Sequence, residues 1–315
     1  MTGPSATTAS STSDTTADTT ADTTPDRGTS VGGGFGARWR RYWFDPVSVE
    51  RLDVFARIIA VVVAYTAASK DGWAAQHVDA PAAFYQPVLL ARIIHLGPPT
   101  ATTLLIVRAV VVIAAVWMVT RRAPRAAAAT ALVSYTIWLL WAFSWSKVDH
   151  DRLTIVVALL VLALTPRTGP AVERLSGWTL RMVQVVFVLA YPFSAWGKIR
   201  FGGWGWMNSA IFSASIVRRG TWIGDHLLSA PRLLVLAQWS FIIFEVATVV
   251  LLFPRAPKWM RYSALVGVLL LHGMTFLMIG ISFLPHTICI TAFFPLEHLS
   301  RRWRRQRDEL RAASS

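Results

Sequence analysis

Apolar residues in this chain fall in long unbroken runs, not in the alternating or one-faced patterns of soluble elements. Runs at 52–69, 100–120, 126–144, 150–166, 178–197, 232–253, 260–280 and 282–297 each come near the ~20 residues a helix needs to cross a bilayer. The pattern predicts an all-α fold, a polytopic transmembrane helix bundle of about eight spans. Two further stretches, 80–95 and 205–217, carry too many polar and small residues to span. They are expected as interfacial or re-entrant helices on the outer face.

The ends of the chain differ from this body. Residues 11–26 repeat a four-residue unit of hydroxyls and acids, and a Gly-rich stretch follows. So little apolar surface cannot offset the entropy of ordering, so 1–34 is expected to be a disordered tail. In 35–50, the run Ala37-Arg-Trp-Arg-Arg-Tyr-Trp-Phe44 alternates Arg with aromatics, as in an amphipathic helix lying in the interface. Residues 51–299 form the expected transmembrane domain, and 300–315 a basic cytoplasmic tail.

Composition sharpens the class. The 315 residues are 54% hydrophobic and 15% charged, against about 25% charge in soluble domains. A water-soluble globule is therefore excluded as the working class. The lone Cys289 rules out an intramolecular disulfide framework and any cysteine-built metal cage. The net charge is +14, with the basic residues set between apolar runs. Anionic lipid head groups are the expected partner, and nucleic acid is not. The tail run Arg301–Arg307 follows a span directly and is assigned the same way.

Orientation follows from counting Lys and Arg by side. With the N-terminus inside, the inner segments hold 19 of them and the outer segments 9, over a greater outer length. Both termini are thus expected in the cytoplasm, with the chain a multi-pass protein of the cell membrane.

Ionisable residues within hydrocarbon are costly and flag either pairing or function. Four qualify: Arg57, Arg108, Glu245 and His272. Glu245 is expected either to pair with Arg57 or Arg108, fixing helix packing, or to serve in a proton relay or ligand site. His272 is either a neutral core imidazole or a site residue.

Lysine usage adds a second signal. The chain has 27 Arg but only four Lys, at 70, 147, 198 and 258. Arginine stays charged in proteins, whereas lysine can give up its proton, so a Lys in an Arg-dominated chain marks a candidate base. Lys147 lies in Ser144-Trp-Ser-Lys-Val-Asp-His-Asp-Arg152, which also holds Trp145, Asp149, His150 and Asp151. Lys198 lies in 191–206 among Trp196, Trp204 and several glycines. Both clusters fall at predicted outer helix ends. They form either a site for a flat ligand, with Trp145, Lys147, Asp149, Trp196 and Trp204 binding it, or an interfacial belt of Trp and charge. No GxSxG, HExxH, CxxC, P-loop or GxGxxG occurs, and the other histidines show no metal-ligand spacing. No metal is expected.

These segments resemble the HTTM family, the membrane domain shared with vitamin K-dependent γ-carboxylases. The resemblance covers about residues 45–300. It is carried by Ser144-Trp-Ser-Lys-Val-Asp-His150, by Ala195-Trp-Gly-Lys-Ile199, and by Leu271-His-Gly-Met-Thr275 with Ile279-Gly-Ile-Ser-Phe283. It implies Lys198 as the active-site lysine, with His150 and His272 as the family histidines. Glu245 also looks family-like. In the carboxylases the lysine deprotonates a reduced naphthoquinone, oxygen adds, and the resulting alkoxide removes a proton from a substrate Glu. Reduced quinone of the menaquinone or vitamin K type is therefore the implied cofactor. No extra-membrane substrate domain follows the helices here, so carboxylation of a docked protein is not expected.

Three functions remain open. One is an outer-face enzyme using Lys198 as base and His150 as proton partner on a quinone-like or lipid substrate. Another is a non-catalytic membrane module that binds a lipid, a quinone or a partner protein. The third is a proton-coupled transporter using Glu245 and His272.

Overall fold

A computed structural model of the chain describes residues 34–69, 73–145, 148 and 150–299. The 1–33 part of the expected tail and the basic 300–315 segment lie outside the described residues. Among the described residues thirteen α-helices succeed one another, with no strand. They are α1 (Phe35–Phe44), α2 (Val49–Ala68), α3 (Trp73–Gln76), α4 (Leu89–Ile93), α5 (Ala101–Thr120), α6 (Pro124–Phe143) and α7 (Leu153–Leu164). After them come α8 (Val172–Gly202), α9 (Ile211–Arg219), α10 (Trp222–Leu227), α11 (Pro231–Ala247), α12 (Lys258–Ile279) and α13 (Leu284–Thr287).

Among the described residues five helices are long and apolar enough to cross a membrane: α5, α6, α8, Pro231–Leu252 (α11 with the 3₁₀ turns after it) and α12. Each coincides with or contains a run expected to span. The other three expected runs take different forms. Helix α2 matches 52–69 in place but carries Arg51, Asp53 and Arg57 in its first half. Helix α7 has 12 residues, which is about 18 Å of rise. Leu284–Phe293 is a shorter apolar helix. The two stretches expected not to span contain only one 3₁₀ turn and α4 in one case, and a 3₁₀ turn with most of α9 in the other.

Local chemistry sets the helix ends. Ser48 caps α2 by accepting from the Arg51 amide, and Thr100 and Thr103 form a reciprocal capping box at α5. Pro124 and Pro231 open α6 and α11, where a missing N–H costs nothing. Gly280 closes α12 in the left-handed region at φ 65°, a conformation that costs glycine no Cβ clash.

Consecutive long helices run up and down. Arg121, just past the end of α5, pairs with Asp53 near the start of α2, and Arg167 between α7 and α8 reaches the same carboxylate at 3.6 Å. Arg125 at the start of α6 donates to the Ala163 carbonyl near the end of α7 at 3.1 Å. Helices α2, α5, α6, α7 and α8 share one core, with Phe55, Tyr135, Trp138 and Phe187 fully buried. By contrast, Leu105, Ile106, Ile113 and Val116 of α5 and Val266, Leu269 and Leu270 of α12 are exposed. Such continuous apolar faces would be a liability in water and are what hydrocarbon requires.

Close packing fixes the link between α1 and α2. A Cβ added to Gly177 of α8 would sit 1.8 Å from the Asp45 carbonyl oxygen, whereas one on Gly273 of α12 would meet nothing within 4 Å. Gly177→Ala is therefore expected to destabilise the protein by about 2 kcal/mol, because the linker must move. Gly273→Ala should be neutral or gain up to about 1 kcal/mol from helix propensity. Thermal unfolding of both variants in detergent checks the contrast; equal midpoints would show that the linker does not rest on Gly177.

Candidate functional site

Helix α8 positions the site. Tyr191, Ser194 and Lys198 recur at intervals of three and four, which places them on one face of a helix. Pro192 within this stretch has no N–H, so the Val188 carbonyl lacks its helical partner. The face looks into a cavity of about 730 Å³ walled by α8, α9, α11, α12, Phe283 and His286 and lined as well by His150 and Asp151. That volume suits a small-molecule ligand, and the lining is mostly apolar, with its ionisable side chains in two main groups.

The first polar group is an ion pair. Lys198 Nζ donates to Glu245 Oε1 at 2.8 Å and Oε2 at 3.0 Å, and to Ser194 Oγ at 2.6 Å. Glu245, on α11, is 3% exposed. The ammonium also lies 4.9 Å from the Phe241 ring centre and 5.7 Å from that of Trp206, a favourable cation–π arrangement. Carboxylate, hydroxyl and aromatic faces together compensate a charge that the apolar wall alone would penalise.

The second group is built from hydroxyl and imidazole. Tyr191 Oη and His272 Nε2 are 2.8 Å apart. His286 Nδ1 lies 2.9 Å from Thr154 Oγ1, and its ring stacks on Phe187 with centroids 4.5 Å apart. The His272 and His286 rings are 5.9 Å apart, and Phe283 packs against both His272 and His150. His272 Nδ1 and His286 Nε2 are buried without a hydrogen-bond partner. This is a set of proton carriers in an apolar wall, each held by a neighbour. Among the described residues, no group of three His, Cys, Asp or Glu could hold a metal ion.

Lys198, His150, His272 and Glu245 thus line one cavity. Other expected residues do not. Trp196 and Trp204 are 59% and 73% exposed and lie outside the cavity lining. Two residues along a helix turn a side chain to nearly the opposite face, so Trp196 points away from the direction of Lys198. Trp145 is buried elsewhere, stacked on His77 at 5.8 Å and edge-on to Tyr85 at 5.2 Å. Lys147 and Asp149 lie outside the described residues.

The expected partners of Glu245 are also corrected. Neither Arg57 nor Arg108 pairs with it. Arg108 donates to the Ala68 carbonyl at the end of α2, and Arg57 adds to the positive charge around Asp53. Glu245 takes Lys198 because α11 packs against the C-terminal half of α8, far in sequence from both arginines.

Asp151 stands in the sequence beside His150 as a carboxylate able to orient its imidazole, whereas Tyr191 and Ser194 carry no site signal of their own in the sequence and His286 has no metal-ligand spacing. A usable signal existed for His286: it is an ionisable residue inside an apolar run, the same criterion that marked His272. Compared with family models, with curated proteins and with solved structures, the chain finds no match in any of the three.

Proposed function

We propose that this is a multi-pass membrane protein of the HTTM type that acts on a quinone-like or lipid substrate in the Lys198 cavity. The observation that carries the proposal is the convergence of Lys198, Glu245, His150 and His272 on one apolar cavity of about 730 Å³. A reduced quinone would fit its chemistry: aromatic and aliphatic walls for ring and tail, and two polar groups for the ring hydroxyls.

In this mechanism Lys198 and Glu245 work as one base. Lys198 passes a proton to the Glu245 carboxylate, and its free amine takes the proton of a quinol hydroxyl. Tyr191 and His272 hold the opposite side of the ring and can carry a proton between them. With oxygen as oxidant the net change balances: quinol and O₂ give quinone epoxide and water. The proposal also includes eight spans with both termini inside, so that the C-terminal end of α8 faces outward. It keeps the division into the interfacial segment 35–50 and the domain 51–299.

The test is purified protein in nanodiscs with reduced menaquinone and oxygen, with epoxide measured by chromatography. Wild type is expected to form epoxide, and Lys198→Ala to form no more than protein-free nanodiscs. Equal yields from the two proteins would remove Lys198 as the base.

One observation favours a second function. Lys198 is already engaged by three protein oxygens, as a purely structural ion pair would be. A non-catalytic module holding a lipid, a quinone or a partner protein would then bind menaquinone without epoxide formation, and Lys198→Ala would leave that binding unchanged.

A further inference from the structure

A second, smaller cavity of about 270 Å³ lies at the other end of α8 and is lined by three arginines, Arg51, Arg181 and Arg261. It stands apart from the Lys198 cavity. Arg181 and Lys198 are 17 positions apart on one helix, which is about 25 Å along its axis.

The guanidinium groups come from three different elements. Arg51 opens α2, Arg181 sits in the N-terminal half of α8, and Arg261 is in the first turn of α12. Backbone contacts orient two of them. Arg51 Nη2 donates to the Ala292 carbonyl at 2.9 Å, and Arg181 Nε donates to the Tyr42 carbonyl at 3.1 Å while stacking over the Tyr42 ring. Gln184 donates to the same Ala292 carbonyl at 2.8 Å. The Nε atoms of Arg51 and Arg261 are buried and have no hydrogen-bond partner. Three like charges gathered around one cavity repel one another, so the arrangement calls for an anion among them.

Two carboxylates bear on the charge balance. Asp45 lines the cavity, and Glu297 acts electrostatically on Arg51. Three guanidinium groups against these two still leave an excess of one positive charge. A monoanion with several acceptor oxygens would neutralise it, and the arginine fork matches phosphate geometry.

Depth narrows the source. Pro254, also in the lining, lies in the short link between the candidate spans Pro231–Leu252 and Lys258–Ile279. Tyr42 and Asp45 belong to the end of the Arg- and aromatic-rich helix α1. A turn between two spans and an amphipathic helix both belong at the level of lipid head groups. We propose that Arg51, Arg181 and Arg261 form a phosphate-binding pocket that holds the phosphodiester of one anionic phospholipid.

The experiment uses the full chain in nanodiscs. In one arm, phosphatidylglycerol in a phosphatidylcholine background is measured by native mass spectrometry. In the other, inorganic phosphate is titrated into pure phosphatidylcholine discs. Wild type is expected to retain phosphatidylglycerol selectively, and Arg261→Gln to weaken it about tenfold, the loss of one charge-assisted hydrogen bond. Arg261 makes no hydrogen bond to the protein through Nε, so this variant should keep the fold. Arg255→Gln removes an equal charge from an exposed position in the turn before α12 and should change retention less than twofold. Saturable phosphate binding lost in Arg261→Gln would retain the pocket and show that the phosphate need not be a lipid's. Equal losses in the two variants, or no selective binding in either arm, would overturn the proposal. None of these readouts depends on the Lys198 chemistry.

Discussion

Glu245→Leu is expected to cost about 3 kcal/mol of unfolding free energy, and adding Lys198→Met should recover most of that loss. The single variant strands an ammonium in an apolar wall, with Ser194 as its one remaining oxygen contact. The double variant removes both charges and leaves apolar groups of similar length. A buried pair differs in this way from a surface pair, whose removal is nearly neutral. The Lys198 side chain keeps 21% exposure and that of Glu245 only 4%, so the penalty should be asymmetric, with Lys198→Met alone also destabilising. Unfolding curves for the two single variants and the double variant, closed as a cycle, give the coupling directly. Additive effects with no coupling would mean that the pair does not hold α8 to α11.

Phe187→Ala is the second large effect, on the order of 3 kcal/mol. Phe187 is fully buried, stacks face to face on His286, and meets Tyr191 and Phe293 edge-on. Deleting the ring leaves a void and removes the surface that fixes the His286 imidazole. Lipid on the outer faces does not soften this cost, since most of it is dispersion lost inside the packed core. Under the proposed function the same variant should also weaken menaquinone binding, because His286 and Tyr191 form part of the wall of the Lys198 cavity. Phe187→Leu keeps much of the volume and should restore more than half of the stability. A loss below about 1 kcal/mol for the alanine variant would show that the wall does not depend on this stack.

Both effects rest on residues of unequal legibility. Glu245 and His272 stand out in the sequence because each interrupts an apolar run, and hydrocarbon makes such an interruption expensive. Lys198 stands out because lysine is scarce beside arginine in this chain. Those signals are local, and no contact is needed to read them. The partner of Glu245 is a different kind of fact. The candidate arginines lie more than 130 positions upstream in the sequence, and nothing in an apolar run says which neighbouring helix it will face. The Trp residues mislead for a related reason. Trp196 neighbours Lys198 in sequence, but helical rotation turns the two apart.

Hydropathy over windows of about 20 residues determined the long helices α5, α6, α8 and α12 and the Pro231–Leu252 segment, since bilayer thickness sets a similar length for the apolar run in each of them. Residue chemistry likewise marked Lys198, His150, His272 and Glu245 as costly or unusual. Only the tertiary structure decided that these four share a cavity with Tyr191 and His286. Only the tertiary structure gathered Arg51, Arg181 and Arg261 at the far end of α8. The reason is that an apolar helix surface satisfies lipid equally well in every direction. Which face turns inward is then settled by packing, hydrogen bonds and charge pairing between helices distant in sequence.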